Sequence, residues 1–112
     1  MQRRNVDPTS LIEIGARLKL ARLALGKTQA EMASAMGSST EGQAWENYEA
    51  GRRRIKTENA LALRWLGLPI EWIFEGHEGR MAGDLLAAIK ALRKQQNGGG
   101  QSPTSRKSRA GR

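Results

Sequence analysis

The stretch that decides the fold is Thr28-Gln29-Ala30-Glu31-Met32-Ala33-Ser34-Ala35-Met36-Gly37 and its continuation Ser38-Ser39-Thr40-Glu41-Gly42-Gln43-Ala44-Trp45-Glu46-Asn47-Tyr48-Glu49-Ala50-Gly51. Thr28 and Glu31 have capping-box spacing, in which a hydroxyl and a carboxylate each satisfy a free N–H at a helix start. Met32, Ala33 and Met36 make that helix short and amphipathic, and Gly37 ends it. Ser38-Ser39-Thr40 reads as a turn, and Thr40 with Gln43 repeats the capping-box spacing. A second short helix runs from Glu41 through Glu49, with Ala44, Trp45 and Tyr48 facing inward, and stops at Gly51. Two short helices that meet across a tight turn need a small residue where they cross. Ala33 meets that need.

Working outward, Met1 to Val6 is a short basic stretch and residues 1–9 form an N-terminal arm. Asp7-Pro8-Thr9-Ser10 is a helix-entry cluster, and Ser10 with Glu13 again has capping-box spacing. Leu11, Ile14, Leu18, Ala21 and Leu25 recur at helical steps, with Gly26 as the stop. Downstream, Arg52-Arg53-Arg54 is a basic loop. Thr57 is placed to cap a fourth helix holding Ala60, Leu61, Leu63, Arg64 and Trp65, closed by Gly67. Pro69 suits the first turn of a fifth helix through Ile70, Trp72, Ile73 and Phe74, ending at Gly76. Met81, Leu85, Ile89 and Leu92 form one stripe of a sixth, amphipathic helix within residues 77–96. Residues 97–112, rich in glycine, serine and basic groups, are too polar to offset ordering entropy and read as a disordered basic tail. The expected fold class is all-α, since no segment alternates as a strand does.

Composition narrows the chemistry. In 112 residues, 19 Lys and Arg face 11 Asp and Glu, a net charge of +8, which suits a polyanionic partner. There are no cysteines, which excludes disulfides and thiolate chemistry. Arg3-Arg4 is not followed by the apolar stretch of a signal, and no run approaches the roughly 20 residues that span a bilayer. No membrane partner is expected. No carboxylate pair, Ser/His/Asp set or phosphate loop has supporting context, so no enzyme and no cofactor are expected. His77 in its glycine loop reads as solvated, not as a metal ligand. The aromatics Trp45, Tyr48, Trp65, Trp72 and Phe74 fall on apolar helix faces and read as core, not as stacking platforms for single strands.

These residues together resemble the Xre/Cro-type helix-turn-helix family of phage and bacterial repressors. The likeness rests on Ile14-Gly15-Ala16-Arg17-Leu18-Lys19 with Arg22, on Gly26-Lys27-Thr28-Gln29, Ala33 and Gly37, and on Asn47-Tyr48-Glu49-Ala50-Gly51-Arg52-Arg53. It closes with Leu66-Gly67-Leu68-Pro69-Ile70-Glu71-Trp72-Ile73-Phe74-Glu75-Gly76. From Gly37 to Tyr48 the chain is about two residues longer than the family's usual spacing, an insertion assigned to the turn at Ser38 to Glu41. The resemblance implies a five-helix lambda-repressor-like DNA-binding domain over residues 10–76. The sixth helix and the tail are additions to it.

The resemblance also implies roles. Thr40, Glu41, Gln43, Ala44 and Asn47 would meet base edges, with the amides of Gln43 and Asn47 suited to adenine N6 and N7. Lys27, Thr28, Gln29, Arg52, Arg53, Arg54 and Lys56 would meet phosphates. Arg22 and Glu49 would form an internal ion pair. The implied protein is a homodimeric repressor that reads an inverted repeat in double-stranded DNA, in the cytoplasm at a bacterial or phage nucleoid. A competing reading is an antitoxin-type or phage-encoded adaptor that docks a protein partner through residues 77–96. The stripe of the sixth helix is open to two uses, packing on its own domain or pairing with a second copy.

Overall fold

Ser10 begins the first helix as a hydroxyl cap, its side chain accepting from the Glu13 N–H at 3.2 Å. In the computed structural model, which describes residues 7–37 and 41–98, this helix is α1, Leu11–Leu25. It is followed by α2, Gln29–Ala35; α3, Glu41–Glu49; α4, Thr57–Ala62; α5, Ile70–Glu75; and α6, Gly83–Gly98. A tighter 3-10 turn, Leu63–Leu66, extends α4. No strand occurs among the described residues, so the all-helical class holds. Gly26, Gly37, Gly51, Gly67 and Gly76, each placed at a helix end by the sequence, all have positive φ. In α2 both halves of the capping box form. Thr28 Oγ1 accepts from the Glu31 N–H at 3.1 Å, and Glu31 accepts from the Thr28 N–H at 2.8 Å. The bond from the Thr28 backbone N–H holds the Glu31 carboxyl below its ordinary pKa.

The core gathers along α1, which packs on α3, α5 and α6, with α2 against α3. Ile14, Leu18, Met32, Trp45, Trp72 and Ile73 are fully or almost fully buried there. Ala33 has no exposed surface, in keeping with its place at the α2–α3 crossing. Trp45 and Tyr48 meet edge to face, with centroids 6.4 Å apart. α1 crosses α3 at Gly15. A Cβ built there would lie 2.4 Å from the Tyr48 carbonyl oxygen and 2.7 Å from that of Glu49. Arg17 is a buried cation whose role composition alone did not suggest. Its Nε donates to the Ile73 carbonyl at 3.0 Å, and its Nη2 donates to the Pro8 carbonyl, tying the chain entry and α5 to α1. Burial pushes its pKa down from the usual arginine value.

Several expectations are corrected. Trp65 is 81% exposed, not core. The segment Ala60 to Leu66 is apolar at every position except Arg64, so its pattern selects no face. In the 3-10 turn, residues three apart eclipse one another. Leu63 and Leu66 therefore take the inner side, and Trp65 turns out beneath Arg64, whose guanidinium sits 5.3 Å from the ring centroid. Replacing Trp65 by serine should consequently change the melting temperature by no more than about 2 °C, the range of a surface substitution. A thermal melt checks this, and a drop above 10 °C would place the ring in the core after all. Leu11 is likewise exposed, at the open end of α1. Thr57 is the first residue of α4 and not its cap, and Lys56 in the cap position makes no side-chain cap bond. Pro69 precedes α5 as its cap residue.

The sixth helix starts at Gly83, later than expected, and extends through Gly98, past the expected end at 96. Met81 precedes it but is still buried. The stripe packs on its own domain: Ile89 is fully buried, Leu85, Leu86 and Leu92 are half-buried, and the helix lies along α1. The rest of the predicted tail, residues 99–112, lies outside the described residues, as do residues 1–6 of the arm. Among the described residues no helix is long and apolar enough to cross a membrane.

Candidate nucleic-acid interface

Because Trp45 and Tyr48 point into the core, the opposite side of α3 is left to solvent. Gln43 is exposed there, and Ala44 and Asn47 are half-buried. These three side chains line one open cleft of about 350 Å³ together with Tyr48, Arg53, Lys56 and Asn59. The cleft thus has two amides and a methyl on its helical wall, and two cations on the wall formed by the α3–α4 connection. Thr40 lies outside the described residues. Glu41 opens α3, but nothing is described of its side chain.

Glu49, at the last turn of α3, holds the inner edge of this surface in place. Its carboxylate accepts from Arg22 Nε at 2.6 Å and Nη2 at 3.3 Å, from Gln29 Nε2 at 3.1 Å, and from Trp45 Nε1. The Arg22 and Glu49 side chains are only 16% and 7% exposed. One carboxylate therefore joins α1, α2 and α3. Gln29, expected at a phosphate, spends one N–H of its amide on this carboxylate and keeps a second donor. That bond ties the start of α2 to the end of α3.

The remaining expected phosphate contacts differ in availability. Arg52, Arg53 and Lys56 are exposed around the end of α3 and the start of α4. Arg54 is exposed as well, but its guanidinium lies 5.5 Å from the centroid of the Phe74 ring, so it also covers α5. Thr28 spends its hydroxyl on the capping box, and Lys27 is half-buried with its carbonyl accepting from Arg22 Nη1 at 3.3 Å. Asn47 differs from the free amide expected of it, because its Oδ1 accepts from Arg52 Nη1 at 3.0 Å. A bidentate contact to adenine would have to use the second lone pair of that oxygen, with the amide held toward Arg52.

Asn59 is a residue that the sequence reading missed. Its Nδ2 donates to the Tyr48 hydroxyl at 3.3 Å, and it lines the cleft beside Lys56. The three-residue spacing of Lys56 and Asn59 across the start of α4 was the available signal.

Charge is unevenly placed. Glu71 is paired with Arg80, and Glu78 with Lys90 and Arg93, all on α5, α6 and the segment between them. The three consecutive arginines after α3 have no such acidic escort among the ion pairs of the described residues. The lining of the cleft itself carries Arg53 and Lys56 and no carboxylate. Among the described residues no cluster of three His, Asp or Glu is placed to hold a metal. Comparison of the chain with protein-family models, with curated proteins and with solved structures finds no match.

Proposed function

We propose that this chain is a sequence-specific, double-stranded-DNA-binding transcriptional regulator of the Xre/Cro type. In this reading α1 to α5 are a lambda-repressor-like domain, α2 and α3 are its helix-turn-helix, and α3 enters the major groove. The observation that carries it is the shared cleft: Gln43, Ala44 and Asn47 on one helical face, flanked by Arg53 and Lys56. Amides on a helix are suited to base edges, and cations one loop away are suited to the phosphates that border the groove. Homodimerisation would place two such helices one DNA turn apart on an inverted repeat, and occlusion of a promoter would make the protein a repressor. Its place of action would be the bacterial or phage nucleoid in the cytoplasm.

Selection of bound sequences from a random duplex pool, followed by gel shifts with single variants, tests the proposal. Gln43→Ala is expected to lose preference at one or two base positions while keeping nonspecific affinity. Arg53→Ala is expected to weaken all sequences about equally and to reduce the slope of log K against log salt by roughly 0.9. Unchanged base preference in Gln43→Ala would mean that this face of α3 does not read DNA.

The exposed pair Leu61 and Trp65 favours a second reading, an adaptor or antitoxin with a protein partner. In that reading the docking element is this pair on α4 and its extension, since the apolar stripe of α6 is already packed. A stoichiometric partner in the native host that Trp65→Ser releases, with DNA binding intact, would support it.

A further inference from the structure

Arg52 holds one end of the Asn47 side chain, and which end is decided by chemistry. A guanidinium has only donors, so the amide atom 3.0 Å from Arg52 Nη1 must be the oxygen. The Nδ2 amide group is then the end left for an incoming partner. Asn47 lines the cleft whereas Arg52 does not, so the two sit at the border between the reading surface and the basic loop. A free amide would pair with adenine by accepting from N6 with its oxygen and donating to N7 with its nitrogen. An amide whose oxygen is turned toward Arg52 presents its two Nδ2 donors to an incoming partner instead. Guanine presents two neighbouring acceptors, N7 and O6, to the major groove, while adenine presents one acceptor beside its own donor.

We propose that Arg52 is a specificity-determining residue that orients Asn47 so that its Nδ2 donors read guanine, a role distinct from phosphate binding. The inference rests on the duplex-DNA reading above. A phosphate-binding Arg52 would alter affinity for all sequences alike, whereas a residue that orients Asn47 alters the base preferred at one position.

The test is selection from a random duplex pool with the full chain, followed by measured affinities for the four bases at the affected position. Asn47→Ala identifies the position that Asn47 reads as the one whose preference it removes. The wild-type protein is expected to favour guanine there over adenine by at least about fivefold. Arg52→Met, which keeps the side-chain stem and removes the donors, is expected to shift that preference to adenine. An adenine preference in the wild type, or a guanine preference unchanged in Arg52→Met, overturns the inference while leaving DNA binding intact. Sequence-selective binding in which Asn47→Ala changes no position also overturns it. If the wild type selects no duplex sequence at all, the DNA reading itself fails, and the role of Arg52 fails with it.

Discussion

Replacing Gly15 by alanine is expected to destabilise the protein by about 2 kcal/mol, although alanine is the better helix former by about 1 kcal/mol. Two effects of opposite sign compete. Gly15 lies in the middle of α1, where propensity favours alanine. The new Cβ, however, would stand 2.4 Å from one backbone carbonyl oxygen of α3 and 2.7 Å from the next. An ordinary carbon–oxygen contact is about 3.4 Å, so α1 and α3 would have to separate by about 1 Å. Backbone atoms cannot rotate away as a side chain does, which puts the cost near the upper end of overpacking, about 3 kcal/mol. The clash therefore wins. The measurable result is a fall of roughly 10 °C in melting temperature for a domain of this size. Gly83→Ala is the control, since a Cβ there meets nothing within 4 Å. If both variants melt with the wild type, the close approach of α1 and α3 is not present in solution. The same separation would tilt α3, so duplex affinity should fall in Gly15→Ala at temperatures where the fold persists.

The sequence contained the cause of that close approach without its geometry. Helix number, helix stops and the inward aromatics Trp45 and Tyr48 followed from apolar spacing and from glycine at chain turns, which are local properties. Trp65 did not, because the run from Ala60 to Leu66 is apolar on all sides and only the switch to a 3-10 turn decides which residues face in. The candidate surface divides in the same way. Gln43 and Asn47, four residues apart on one helix, are legible as a face. The bonds that modify them join residues through the fold: Gln29 to Glu49, Asn47 to Arg52, Asn59 to Tyr48. Polar side chains choose partners at hydrogen-bond range in three dimensions, and no periodicity encodes that choice. The position of Gln29 at the start of α2 is legible, whereas the carboxylate that takes one of its N–H groups lies 20 residues away.

Removing that carboxylate carries the largest effect expected for a single substitution at the surface edge. Glu49→Ala should cost about 3–5 kcal/mol, the range for breaking a buried pair. Every group around the carboxylate is a donor: two guanidinium nitrogens of Arg22, the amide of Gln29 and the indole of Trp45. With Glu49 gone, Arg22 keeps its charge at 16% side-chain exposure, with its bond to the Lys27 carbonyl as the remaining compensation. Glu49→Gln preserves shape but supplies one acceptor end and one donor end, so about half the bonds become donor against donor. Its cost should fall between that of wild type and alanine. Arg22→Ala combined with Glu49→Ala should cost less than the two single costs added, because the double variant leaves no unpaired charge. Chemical denaturation of the four proteins in this cycle decides the matter. Strict additivity would mean that the pair is not coupled, and a cost below about 1 kcal/mol for Glu49→Ala would place it among exposed surface pairs. The coupling also bears on binding. Glu49 fixes α2 and α3 to one another through Gln29, and α3 to α1 through Arg22. Its loss should therefore lower affinity for selected duplexes and reduce discrimination among them, even though Glu49 lines no part of the cleft.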